Sequence, residues 1–140
     1  MSQYNSRILI KVKDIADWKK LADIDFKNFG FYANPFDGHE KEIFDIIGDW
    51  ACFEDELIAL ANAIVERIPN CILFGDTTNI NVDPYAFIVY HLGDGVYSDE
   101  IEGDFQWETE LYDPFNWLQS ANITLTDKNR AYLAEFGFKE

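Results

Sequence analysis

Between Ile68 and Asp127 the chain has no lysine and no arginine, yet those sixty residues hold eleven acids. Residues 1–67 carry thirteen acids against eight bases, and residues 128–140 carry two against three. The acidity is therefore regional. A net charge of −15 and a pI near 4.3 exclude direct nucleic-acid binding as the expected role, because a phosphate backbone is gripped by Lys and Arg. An anionic membrane surface is disfavoured for the same reason.

Other scarcities narrow the field further. There are two cysteines, Cys52 and Cys71, with no metal or redox spacing; they read as buried free thiols of a cytosolic protein. The two histidines, His39 and His91, have no partner four residues on, so no zinc spacing exists and any Ser-His-Asp or Cys-His scheme is constrained. His91 reads as an edge-of-core residue bonded to a neighbour. No apolar run reaches the length of a membrane helix. The opening Met-Ser-Gln-Tyr-Asn-Ser is followed by no basic-then-apolar segment, so no signal peptide is read and a cytoplasmic location is expected. Gly93-Asp94-Gly95 follows a strand pattern but opens no helix, so it is no dinucleotide loop. Asn79, Asn81 and Asp83 have the spacing of a calcium loop, but Pro84 stands where the turn glycine belongs and Tyr90 where the bidentate glutamate belongs. No metal, no cofactor and no catalytic residue is expected.

What is present is a core. Hydrophobic residues make up 48% of the chain and aromatics 16%, which argues for a folded protein despite the charge. A single domain spanning 1–140 is expected at this length.

The chain is organised around Tyr97 to Asp113. Its even register, Ser98, Glu100, Glu102, Asp104, Gln106, Glu108, Glu110 and Tyr112, is polar or amphipathic. Its odd register, Tyr97, Asp99, Ile101, Gly103, Phe105, Trp107, Thr109 and Leu111, is apolar apart from Asp99 and Thr109. Side chains alternate across a strand, so this pattern describes a half-buried strand with one acidic and one apolar face. Gly103 is the expected site of a bulge or bend.

Elsewhere, Arg7 to Lys13 alternates as a first strand, and Asp14 is placed to cap a helix with Ile15, Trp18, Leu21 and Ala22 on its apolar face. Residues 28–39 form a connector broken by Gly30, Pro35 and Gly38. Glu40 to Trp50 is ambiguous, its Ile43, Phe44, Ile46 and Ile47 suiting a short helix closed by Gly48. Glu54 to Arg67 is the clearest helix, with Glu54, Asp55 and Glu56 at its start. Cys71 to Phe74 reads as a short buried strand ended by Gly75-Asp76. Tyr85 to Leu92 reads as a strand joined through Gly93-Asp94-Gly95 to Val96–Asp104 as a hairpin. Pro114 to Asn122 reads as an ordered loop or short helix, and Lys128 to Phe136 as a final helix. The order implies an α+β fold, a mainly antiparallel sheet with helices packed on one face and the acidic register turned away from them.

A comb of carboxylates flanked by aromatics suits a basic protein surface, with charge speeding encounter and aromatics slowing dissociation. The candidate partner-binding set is Asp99, Glu100, Glu102, Asp104, Glu108, Glu110 and Asp113 as acids, with Tyr97, Tyr112 and Trp117 as anchors. Phe105 and Trp107 are assigned to the core. Two other readings are a nucleic-acid mimic that blocks a DNA-binding protein, and a small carboxylate-site enzyme.

The segment Gly93 to Leu118, rich in acids and aromatics, gives the chain a character that resembles the immunity proteins of bacterial polymorphic-toxin and contact-dependent growth inhibition systems. That resemblance is one of class, since such proteins share no single fold. It implies a stoichiometric inhibitor that binds and neutralises a cognate, basic, nuclease-type toxin domain inside the producing cell.

Overall fold

The computed structural model describes residues 4–31, 34–48, 54–79, 85–102 and 113–140, with positions 4, 5, 47, 78, 79, 85 and 102 described by backbone alone. Five antiparallel strands make one sheet: β1 Tyr4–Val12, β2 Ile43–Gly48, β3 Cys71–Asn79, β4 Tyr85–His91 and β5 Tyr97–Glu102. Their order is β2-β1-β3-β4-β5. Three α-helices accompany it: α1 Glu54–Arg67, α2 Pro114–Ser120 and α3 Asp127–Glu135. Two 3-10 helices, Ile15–Leu21 and Phe26–Phe29, lie between β1 and β2. The fold class is α+β.

Helices cover both faces of the sheet, not one. The reason lies in the central strands. Cys71 to Phe74 in β3 and Ala86 to Val89 in β4 are buried without a break, the mark of strands packed on both sides. On one face Ile8, Ile10, Val12, Leu73, Phe87 and Val89 meet Leu57, Leu60, Ala61 and Ile64 of α1, with Trp18 and Leu21 beside them. On the other, Leu9, Ile72, Phe74, Ile88 and Ile101 meet Trp117, Leu118, Leu133 and Phe136. Full burial of each large apolar side chain contributes about 1.5–3 kcal/mol, so each helix is held by its sheet-facing side.

Three elements differ from the sequence reading. Ile43–Gly48 is an edge strand paired with β1, Ile8 opposite Ile46 and Ile10 opposite Phe44. Its β-branched residues and the open side of β1 decide for strand over helix. The helix after Asp14 is 3-10 and stops at Leu21; the three-residue period aligns Ile15, Trp18 and Leu21 on one ridge, of which Trp18 and Leu21 are buried and Ile15, at the first position, is exposed. β3 runs through Gly75 and Asp76 instead of ending there. Gly75 lies where α1 comes closest: a Cβ there would stand 3.1 Å from Val89 Cγ2 and 3.5 Å from Leu57 Cδ1.

Asp76 enters the interior because its charge is answered. Arg7, directly opposite on β1, donates from Nε to Oδ1 at 3.1 Å and from Nη2 to Oδ2 at 2.7 Å. The indole N–H of Trp117 donates to the same Oδ2 at 3.2 Å. Burial pushes the Asp76 carboxyl up, against the pull of Arg7 and the indole. The Cys71 thiol, also buried, is pushed up to about 12, which leaves it a poor nucleophile near neutrality.

The turn after β4 is anchored at two points. His91 Nδ1 faces Gly95 O at 2.8 Å and Nε2 faces Pro69 O at 2.9 Å, which ties the hairpin to the end of α1. Tyr132 of α3 lies against Gly93 and donates its hydroxyl to Cys71 O at 2.7 Å.

Candidate partner-binding face

Among the described residues β5 is the outer strand of the sheet on its side, and its register against β4 decides where each acid points. Ser98 stands opposite Val89 and Glu100 opposite Phe87, so both side chains lie on the α1 face. Tyr97 stands opposite Tyr90, Asp99 opposite Ile88 and Ile101 opposite Ala86, on the face covered by α2 and α3. The expectation that the acidic register turns away from helices is therefore corrected. Glu100 points to the side of the sheet that carries α1, and it lies close enough to Glu54 for their charges to interact.

That pairing is the feature sequence reasoning missed. Burial raises the pKa of the Glu54 carboxyl, and the charges of Glu100 and Asp55 raise it further. Glu54, Asp55 and Glu56 were legible as a helix start that complements the dipole, but local pattern holds no hint that β5 brings a fourth acid to them. All eleven Lys and Arg residues lie among the described residues. Their ion pairs are formed with Asp17, Asp23, Glu42, Asp76, Asp94, Asp127, Glu135 and Glu140. None includes Glu54, Asp55, Glu56, Asp99 or Glu100. Among the described residues, Glu54 and Glu100 thus come together with no Lys or Arg paired to either.

The raised Glu54 pKa fixes the sign of a pH effect. Well below the ordinary Glu value of 4.5 the group is neutral in folded and unfolded chains alike. Above its higher folded value it is charged in both, and the cost of crowding it is fully present. Between about pH 4 and about pH 7, Glu54→Gln is therefore expected to gain urea-midpoint stability relative to wild type as pH rises. A difference that stays flat, or shrinks, would show that burial and the neighbouring acids do not raise the Glu54 pKa.

The other candidate residues fall as follows. Tyr97 is 50% exposed and stacks on Tyr90, with ring centroids 5.6 Å apart and planes at 23°. Asp99 is exposed, and its Oδ1 accepts the Glu100 backbone N–H at 2.8 Å. Asp113 is exposed and caps α2, accepting the Asn116 N–H at 3.2 Å. Trp117 is a correction. It is 0% exposed, with its ring on Phe74 at 4.9 Å and its N–H on Asp76, so it is a core side chain and not a surface anchor. An indole beside acids in sequence looks like an anchor until the fold shows which acid it serves. Glu102 belongs to β5 through its backbone opposite Tyr85; its side chain lies outside the described residues, as do Asp104, Glu108, Glu110 and Tyr112 and the core assignments of Phe105 and Trp107.

Beside Tyr97 the surface is concave. A cleft of about 290 Å³ runs between the Tyr90–Tyr97 pair and the segment from Ile123 to Asn129, with Asp94 and Lys128 at its rim. Lys128 Nζ reaches Asp94 Oδ2 only at 3.9 Å, and both side chains are largely exposed. Among the described residues no group of three His, Cys, Asp or Glu converges as a bound metal ion would need, and no helix is long and apolar enough to cross a membrane. Comparison with known proteins returned no matching family model, no similar curated protein and no similar solved structure.

Proposed function

We propose that this protein is a stoichiometric inhibitor that captures a basic protein through the acidic edge of its sheet, and that it serves as an immunity protein against a nuclease-type toxin in the cytoplasm of the producing cell. The observation that carries this reading is the approach of Glu100 on β5 to Glu54 at the start of α1, with no Lys or Arg ion pair to either among the described residues. Six further acids from Asp99 to Asp113 extend it in sequence, with no base among them. Lysines and arginines of a partner would relieve the repulsion that the fold itself leaves standing, and the same field would steer their approach. A nuclease carries such a surface because it must hold phosphate.

The test is a pull-down from lysate of the source cell, with wild type beside Glu54→Lys/Glu100→Lys, at about one and about three times physiological ionic strength. One basic protein is expected on wild type, with affinity weakened by about tenfold or more in the variant, a coupling of about 1.4 kcal/mol or more. Stoichiometric addition of the inhibitor should then abolish that protein's nuclease activity. Equal retention by folded variant and wild type would remove this face. Competition between the inhibitor and DNA for a partner that is not a nuclease would favour the nucleic-acid mimic.

A further inference from the structure

We propose that the cleft beside Tyr97 receives an arginine side chain of the basic partner, stacked on the exposed face of Tyr97 and paired with Asp94 and Asp99. This rests on the partner being cationic, as argued above, and adds where and how one of its side chains is held.

Three features on the same face converge. Tyr97 is half exposed but not loose, because Tyr90 backs its ring in a stacked arrangement. A preorganised ring of this kind offers a cation–π surface at low entropic cost, and a planar guanidinium uses it better than an ammonium does. Asp99 follows Tyr97 by two residues on one strand and so shares its face; burial, followed by the nearby charges of Tyr97 and Asp99, raises the Tyr90 hydroxyl. Asp94 closes the rim, held only by the long contact to Lys128. Lys128 is the chain's own cation at this cleft. A partner arginine that entered would take over Asp94 and release Lys128 to solvent. The cleft thus has an aromatic wall, one carboxylate of its own in Asp94 and a weakly bound, displaceable base, with Asp99 farther along the strand on the same face.

The experiment uses short oligo-arginine and oligo-lysine peptides of equal length, titrated against the full chain and followed by amide NMR shifts. Oligo-arginine is expected to bind more tightly and to shift Tyr97, Asp99 and Lys128. Tyr97→Ala is expected to weaken oligo-arginine by about three- to fivefold and to erase the preference over oligo-lysine, while Tyr97→Phe retains both. Lys128→Ala is expected to tighten binding more than Lys19→Ala, which removes the same charge elsewhere. Shifts confined to residues near Glu54 and Glu100, with affinity indifferent to Tyr97→Ala, would overturn the cleft while leaving the acidic-edge reading in place. Absence of binding even at low salt would also overturn the cleft, and the pull-down would then decide the acidic-edge reading by itself.

Discussion

Asp76→Ala is expected to lower the unfolding free energy by about 3–5 kcal/mol, because it removes the carboxylate that faces the buried Arg7 guanidinium through two hydrogen bonds. Arg7 is 5% exposed and Asp76 0%, so water cannot take the place of the lost carboxylate. The indole N–H of Trp117 loses its acceptor in the same step. Asp76→Asn separates charge from shape: it keeps the volume and can accept the indole N–H, but it removes the negative charge that faces Arg7, so most of the loss should remain. Arg7→Met combined with Asp76→Leu should recover much of the stability, since an apolar pair of similar volume avoids desolvation altogether. Urea denaturation of the four proteins at one pH gives the comparison. A loss under about 1 kcal/mol for Asp76→Ala would mean that the pair is far more hydrated than its burial indicates.

Gly93→Ala is the second large effect, expected at about 2–3 kcal/mol from two independent causes. The backbone there has φ of +88°, a region that side chains other than glycine's rarely adopt. In addition, an added Cβ would stand 2.8 Å from Tyr132 Cε1, so the ring must move and its hydroxyl bond to Cys71 O is put at risk. Tyr132→Phe separates the two causes, removing only that bond at a cost of about 1 kcal/mol. Gly95 is the internal control: its φ is +78° but nothing lies within 4 Å of the added atom, so Gly95→Ala should cost only the backbone part. Equal losses at Gly93 and Gly95 in thermal or urea melts would show that the Tyr132 contact carries no weight.

These positions also show what could be read beforehand. The β4–β5 hairpin was legible because Tyr85 to Leu92 alternates little, is β-rich and ends in Gly-Asp-Gly, all local signals. The α1 helix was legible from its apolar face and charged ends. Ile43–Gly48 was misread because a short apolar run fits helix and strand alike, and only the free side of β1 decides. The two-sided covering of the sheet was in principle visible in the unbroken apolar runs of β3 and β4, but alternation in Tyr97–Asp113 suggested a sheet with one wet face. On the candidate face, the positions of Tyr97, Asp99 and Glu100 on a strand could be read from alternation alone. Their division between two faces could be counted out, but not the arrival of Glu100 beside Glu54, which depends on how α1 crosses the sheet. Trp117 failed for a similar reason: its partner Asp76 is 41 residues away, and no local pattern links them.

The strand order carries a consequence for synthesis. β1 leads the chain, yet it sits between β2 and β3, and its buried Arg7 meets Asp76 across 69 residues of sequence. Until β3 has left the ribosome, β1 has, among the described strands, only β2 to pair with, and Asp76 is not yet there to meet its guanidinium. The β4–β5 hairpin, by contrast, needs only neighbours in sequence and can close within microseconds of emerging. The acidic edge therefore forms from a local step, whereas closing β1 onto β3 is the long-range step of the sheet and the slower of the two.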